Sequence, residues 1–273
     1  MCRFKSYVVT KDLKIHGSYK TGSHEKILAE NGIPEFMSCQ EALLTREYVC
    51  IEVTPKNLLQ MTRDLADWVY TEDEKDSLPE WYRRNKARIE EAVFLQLGKD
   101  LQIQLALGNE EHKVTDTEIY AFDQSQVNAY GSSKVDAYGS SQVYTYSSSK
   151  VYAYDSSQIY ASGSSQVVAY DSSQVDAYGS SQVVAYGSSR VDAYDSSQVN
   201  AYGSSKVDAY GSNQVRAYGS SKVDAYGSSQ VHAYDASQVK IKSKTAIVSC
   251  KDKIFINKQA TVVVQNEVNA AEA

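Results

Sequence analysis

The sequence predicts a mainly β protein: a two-sided β-solenoid of eight-residue strand-plus-corner units, sixteen residues per coil, preceded by a small α+β domain. Three observations carry this prediction. Fifteen octads run in unbroken register from Ala121 to Lys240. Within each octad, small residues recur with the two-residue period of a strand. All three prolines, both tryptophans and all three methionines lie before residue 82, so composition changes ahead of the repeats.

Each octad reads A-Y-G-S-S-Q-V-x. The first place is Ala in fourteen of the fifteen, with Thr145 as the exception, and the seventh is Val or, once, Ile159. The fifth place is Ser except for Asn213, and the third is Gly or Asp except for Ser147. Places five, seven and one share a parity, so Ser, Val and Ala point to one face of a strand. Gln, Lys or Arg, the variable eighth place and Tyr point to the other. The pair Gly/Asp-Ser supplies the corner, since Gly and Asp are turn formers. A single strand with so thin an apolar face cannot stand alone, but stacked copies bury it on their neighbours. The buried Ser hydroxyls then need backbone or hydroxyl partners, or each costs about 1–3 kcal/mol.

The eighth place decides between a two-sided and a three-sided coil. Asp176, Asp192, Asp208 and Asp224 recur at sixteen residues, and Arg190, Lys206 and Lys222 stand two residues before three of them. A period of sixteen gathers these charges on one face, whereas twenty-four scatters them. Stacked aspartates about 4.8 Å apart repel, and the Arg/Lys file beside them offsets this. The tyrosines are expected in ladders flanking the corners, where ring stacking adds about 0.5–1.5 kcal/mol per pair. Tyr138, Tyr154, Tyr170, Tyr186, Tyr202, Tyr218 and Tyr234, together with the four aspartates, form the candidate interaction surface.

Before the repeats, residues 1–112 read as a small α+β domain or cap. RFKSYVVT and KDLKIHGSY suit a hairpin. HEKILAENG suits a helix ended at Asn31-Gly32, SCQEALLT one or two helical turns, and REYVCIEV a buried strand. KNLLQMTRDLADWVY places Leu58, Leu59, Met61, Leu65, Trp68 and Val69 near one helical face. Pro79 marks the start of a long helix with Trp81, Ile89, Val93, Phe94 and Leu97 on one side. LQIQLALG at 101–108 is expected to begin the first coil, and the solenoid to occupy 113–240. Residues 241–265 read as a C-terminal cap in which Ile241, Ile247, Ile254, Val263 and neighbours replace the small core residues. Its lysines deter strand addition, and residues 266–273 read as a disordered tail. An apolar self-association site in the same segment is the rival reading.

Composition bounds the function. The net charge is −6, with no basic footprint for nucleic acid. No run of 18 apolar residues offers a membrane span. The N-terminal residues lack the apolar core of a secretory signal. Cys2, Cys39, Cys50 and Cys250 lack close pairing, which suits reduced thiols and a cytoplasmic protein.

The units YGSSQVDA and YDSSQVNA resemble the half-repeats of bacterial ice-nucleation proteins in their Y-[GD]-S-S-x core, over residues 121–240. The resemblance implies a sixteen-residue β-solenoid with a tyrosine ladder. The T-x-T arrays that carry ice activity in that family are Q-V-x or K-V-x here, so ice binding is not expected. The layout also resembles uncharacterised phage and prophage proteins that join a short N-terminal domain to Gly/Ser-rich repeats. The matching residues are Asp12–Gly17, Glu30–Gly32 and Tyr48–Glu52.

Little chemistry is legible. His24, ahead of a helix, reads as a solvent-exposed residue, in a layout loosely like ADP-ribosyltransferase-type folds but without a catalytic Glu motif. Cys39 and Cys50 with His24 lack the spacing of a thiol or metal motif. GSYKTGS lacks the spacing of a phosphate loop, and the octads lack the double glycines of calcium-binding rolls. No cofactor or metal is expected. The favoured reading is a non-enzymatic structural or interaction protein with a protein partner or self-association, including a homodimer through the tyrosines or the C-terminal coils. A decoy mimicking nucleic acid is one alternative, but residues 121–240 hold ten Asp against seven Lys/Arg. That charge lies along a rod of about 35 Å, far sparser than duplex DNA. A small transferase-like enzyme within 1–112 is the other.

Overall fold

The computed structural model describes residues 5–18, 23–34, 47–57, 61–73, 78–243 and 245–250. The chain divides into two compact units at Leu105/Ala106. Residues 106–112, which the sequence reading assigns to the N-terminal domain, thus belong with the repeats.

In the first unit, β1 (Lys5–Thr10), β2 (Ile15–Gly17), β3 (Tyr48–Pro55) and β4 (Trp68–Glu72) form an antiparallel sheet of order β2-β1-β3-β4. Alternation along β1 sorts its side chains. Val8 joins Tyr48 and the helix α1 (His24–Glu30) through Ile27 and Leu28. Tyr7 points the other way, and its hydroxyl donates to Asp100 of α2 (Glu80–Gln104) at 2.7 Å. Tyr82, Ile89, Val93 and Leu97 are the buried stripe of α2. Lys5 and Asp100 form a buried pair at 3.2 Å, and Gln96 donates to the other carboxylate oxygen. Lys5 also donates to Ser18 O and to Gln104. A buried ion pair is tolerable only with its remaining sites filled in this way.

Helix α1 ends as its sequence requires. Gly32 has φ +64°, its amide donates to Ala29 O, and Ile33 N donates to Leu28 O. This is the paired closure of a left-handed helix cap, with Ile33 packed on the same cluster as Leu28.

Two expectations are overturned here. The 58–69 stretch is not a helix in its described part: Asp64 caps a single 3-10 turn, Leu65–Asp67, and Trp68–Glu72 is a strand paired with β3. The competing pattern is Trp68, Tyr70, Glu72, a period of two that finds partners across Pro55, Val53 and Ile51. LQIQ at 101–104 does not begin a coil but is the last turn of α2, with Leu101 and Gln104 in its buried stripe. SCQEALLT and the segments after Cys250 lie outside the described residues.

The second unit is a two-sided β-solenoid with sixteen residues per coil. Strands alternate between a nine-stranded and a ten-stranded parallel sheet. From Glu118 to Ile241 the register is uniform at sixteen, with Val143 paired to Ile159, Val151 to Val167 and Ala177 to Ala193, whereas in the first coil Glu111 pairs with Gln126, fifteen residues on. From Lys134 to Ile241 each strand has four residues, such as Gln174–Ala177 or Arg190–Ala193. The Ser, Val and Ala places are buried throughout, forming one continuous core between the sheets.

The corners carry backbone ladders as well. Tyr154 N donates to Ala137 O and Ser156 N to Gly139 O, each one coil back. Where the following coil carries Asp at the third place, its carboxylate meets the third-place amide: Gly139 N donates to Asp155 Oδ2 and Gly179 N to Asp195 Oδ2, both at 2.9 Å. The buried Ser closes the corner from inside. Ser197 Oγ lies 2.8 Å from Tyr194 O and 3.1 Å from Ala177 O of the coil before. Asn213 explains its own exception: its amide donates to both Tyr210 O and Ala193 O, and its oxygen accepts from Ser197 N. Ser125 and Ser141 have hydroxyls without a hydrogen-bond partner among the described residues.

The last described coil changes pitch. Gln230 pairs with Ile247, one residue more than sixteen. Ile241 takes an Ala place and is buried, as does Val248 a Val place. Ile247, expected in the core, aligns with the outward Gln file and is 48% exposed. The inserted residue shifts its parity.

Candidate interaction surface

The outward places of each strand build files that run along the solenoid. On the nine-stranded sheet, Asp176, Asp192, Asp208 and Asp224 stand in direct register. Gln174, Arg190, Lys206 and Lys222 form the adjacent file two residues away. A shallow groove follows this basic file, lined by Ser188, Arg190, Ser204, Lys206 and Lys222. Arg190 lies 3.8 Å from Asp192 and 3.5 Å from Asp208. Among the described residues, Lys206 and Lys222 close no ion pair.

The acidic file is under electrostatic load. Burial pushes the Asp192 carboxyl above its ordinary range; Arg190 opposes this, while Asp208 and Asp176 add to it. Burial raises Asp176 as well, against Arg190. Repulsion between like charges directly opposite in a ladder is the expected penalty.

The tyrosines form two long ladders. Phe122, Tyr138, Tyr154, Tyr170, Tyr186, Tyr202, Tyr218 and Tyr234 stack in series at centroid spacings of 4.7 to 5.3 Å. Tyr178, Tyr194, Tyr210 and Tyr226 stack likewise at 4.7 to 5.1 Å. The second ladder is interrupted by Ser162, whose hydroxyl donates to Thr145 O. A third stack, Tyr144 on Tyr160, occupies the eighth place at 4.7 Å.

The structure separates the residues that the sequence reading grouped as one surface. The seven named tyrosines follow strands of the ten-stranded sheet, such as Lys150–Ala153 and Gln182–Ala185, whereas the aspartates lie on the other sheet. The tyrosines beside the acidic file are Tyr178, Tyr194, Tyr210 and Tyr226. Burial raises the Tyr194 phenol, and the charge of Asp192 adds to it. The octad contains this distinction: the Gly187-Ser188 corner separates Tyr186 from Asp192, whereas Tyr194 directly follows the strand Arg190–Ala193 that carries Asp192.

Two clusters escaped the sequence reading. Lys134 meets Glu118 and, at 3.2 Å, Asp136. Burial opposes its charge, but these two carboxylates hold it well above the ordinary lysine range. In the first unit, His24 is not exposed: its ring approaches Asp73 and Ile51 O, with Cys50 alongside. The sequence signal is only Cys50 and Glu52 on one parity of β3. Their partners come from distant elements.

Fold and surface together define a β-solenoid repeat protein with tyrosine ladders. No family model matches the chain, and neither a curated protein nor a solved structure matches it significantly. Among the described residues, no helix is long and apolar enough to cross a membrane.

Proposed function

We propose that this chain is a non-enzymatic structural repeat protein whose solenoid displays ordered files of side chains to a protein partner or to a second copy of itself. The observation that carries this reading is the register. Like outward groups repeat coil after coil, on a backbone whose corners carry their own hydrogen-bond ladder from coil to coil. Such a surface loses little conformational entropy on binding, which is the main cost that a flexible repeat would incur. Tyr186, stacked above and below, and Tyr178, stacked on Tyr194, each remain about two-fifths exposed. They offer rigid amphipathic edges suited to interfaces.

The likeness of the octads to ice-nucleation repeats supports the scaffold, and the Q-V-x places argue against ice as its ligand. The layout shared with phage and prophage proteins supports an origin of that kind. A protein partner, rather than nucleic acid, fits the mixed charge of the acidic and basic files.

Light scattering over a concentration series, with capture of partners on the immobilised chain, tests this. Replacing Tyr178 and Tyr186 by Ser, a residue the repeat already carries at 162, removes one rung from each ladder. Loss of self-association or capture with retained β spectrum supports display through the tyrosines. An unchanged mass and unchanged capture would discard it.

A further inference from the structure

His24, Cys50 and Asp73 converge in the N-terminal unit with their donor atoms within 4.8 Å of one another. They come from three elements: the first residue of α1, the middle of β3, and the residue after β4. The sheet fixes two of them. Ile51 pairs with Glu72, and Asp73 N donates to Cys50 O at 3.0 Å, which extends the pairing by one residue. Cys50 and Asp73 are therefore opposite neighbours on one face, and helix α1 places His24 above them.

The imidazole decides what the cluster can do. Its Nε2 lies 3.0 Å from Ile51 O, a carbonyl that can only accept. Nε2 therefore carries the hydrogen, and Nδ1 is left facing an oxygen of Asp73 at 3.2 Å. A lone pair and a carboxylate oxygen cannot meet at that distance without a cation between them, either a proton on Nδ1 or a metal ion. A nucleophilic Cys–His–Asp relay is excluded, because Nε2 is spent on the Ile51 carbonyl and Nδ1 faces Asp73, which leaves neither ring nitrogen for the thiol. Metal-ligating histidines do donate their second nitrogen to a carbonyl.

We propose that His24 Nδ1, Cys50 Sγ and the Asp73 carboxylate form a zinc site, with a fourth position open to water. Nitrogen and oxygen donors at about 2.0–2.2 Å from a tetrahedral zinc lie roughly 3.3 Å apart, which is the separation found between His24 and Asp73. Imidazole, thiolate and carboxylate together suit zinc better than calcium or magnesium, which take oxygen donors. Binding displaces the thiol proton to solvent and leaves Cys50 as thiolate.

The test uses the full chain carrying Cys2→Ser, Cys39→Ser and Cys250→Ser, so that Cys50 is the only thiol. After chelation and dialysis it is titrated with zinc chloride, and in parallel with cobalt(II). The expected result is one equivalent per chain, with a thiolate-to-cobalt charge-transfer band. Cys50→Ser removes that band, and Asp73→Asn weakens binding about tenfold or more. A chain that takes up no metal, or Asp73→Asn and His24→Ala variants that bind as the parent does, would overturn the site in favour of an imidazolium–carboxylate pair. Should the variants fail to fold, alkylation of Cys50 in the parent chain decides. Zinc slows iodoacetamide if the thiolate is a ligand, and an equal rate with and without zinc rejects it.

Discussion

Asp192 stands directly opposite Asp208 in the parallel ladder, and the guanidinium of Arg190 reaches both, 3.8 Å from the first and 3.5 Å from the second. One Asp192 oxygen is buried without a hydrogen-bond partner. The file therefore costs the fold stability at neutral pH. Asp192→Asn is expected to raise solenoid stability by roughly 0.5 kcal/mol, within the range of cross-strand pairs.

The sign with pH follows from the raised folded-state pKa of Asp192. A carboxyl that is harder to ionise when folded favours folding as pH falls through that raised value. The gain levels off near the unfolded value of about 3.9. The melting gap between Asp192→Asn and the parent is thus expected to shrink from pH 7 towards pH 4. A gap that does not change with pH would remove the repulsion argument.

Much of the solenoid is readable in the sequence because one periodicity fixes everything at once: parity, coil length and corner. Val183, Ala185 and Ser181 are buried because their places are buried in every octad. Tyr186 and Asp192 share an octad, but the Gly187-Ser188 corner within it puts the strands that flank them on different sheets, which the octad spelling alone does not display. In the first unit no repeat helps. Trp68 and Val69 satisfy a helical spacing and a strand alternation equally, and only the pairing edge offered by β3 settles the matter. His24, Cys50 and Asp73 are separated by 26 and 23 positions, so no local motif announces them; a tertiary sheet register does.

The parity assignment predicts opposite outcomes at adjacent residues. Val183 is 1% exposed, while Val184 points outward and is half-buried. Val183→Asp places an unpaired charge between two sheets, which costs several kcal/mol, and should unfold several coils because each rests on its neighbours. Val184→Asp should cost under about 1 kcal/mol. Amide exchange read along the repeats separates the two. Equal effects would contradict the inward and outward sets.

The corners make a second contrast. Gly203 has φ +68°, and a Cβ there would lie 3.1 Å from Gly187 O. Gly203→Ala should cost about 1–2 kcal/mol, the penalty for a left-handed residue with a side chain. Gly203→Asp should cost less, because its carboxylate can accept from Gly187 N as Asp195 does from Gly179 N. A charged acceptor adds about 1.5–3 kcal/mol. Thermal melts of the two variants give the order, and an Asp variant less stable than the Ala variant would refute the role assigned to the corner aspartates.

The tyrosine ladder should make the fold sensitive to alkali. Tyr138 stacks between Phe122 and Tyr154 at 4.9 and 4.8 Å. Burial, then the charge of Asp136 and the neighbouring phenol of Tyr154, push its pKa up to about 12, with Lys134 opposing in part. A phenol that holds its proton more tightly when folded stabilises the fold fully below its unfolded value of about 10. That contribution is lost as pH rises from there towards 12. Tyr138→Phe keeps the stacked ring and removes the ionisable hydroxyl. The variant and the parent should therefore melt within about a degree of each other at pH 8, and the parent should fall progressively below the variant above pH 10. Ultraviolet titration of the folded parent should show phenols ionising well above 10. If the two chains lose stability together up to pH 12, ionisation of this rung is not what the ladder resists.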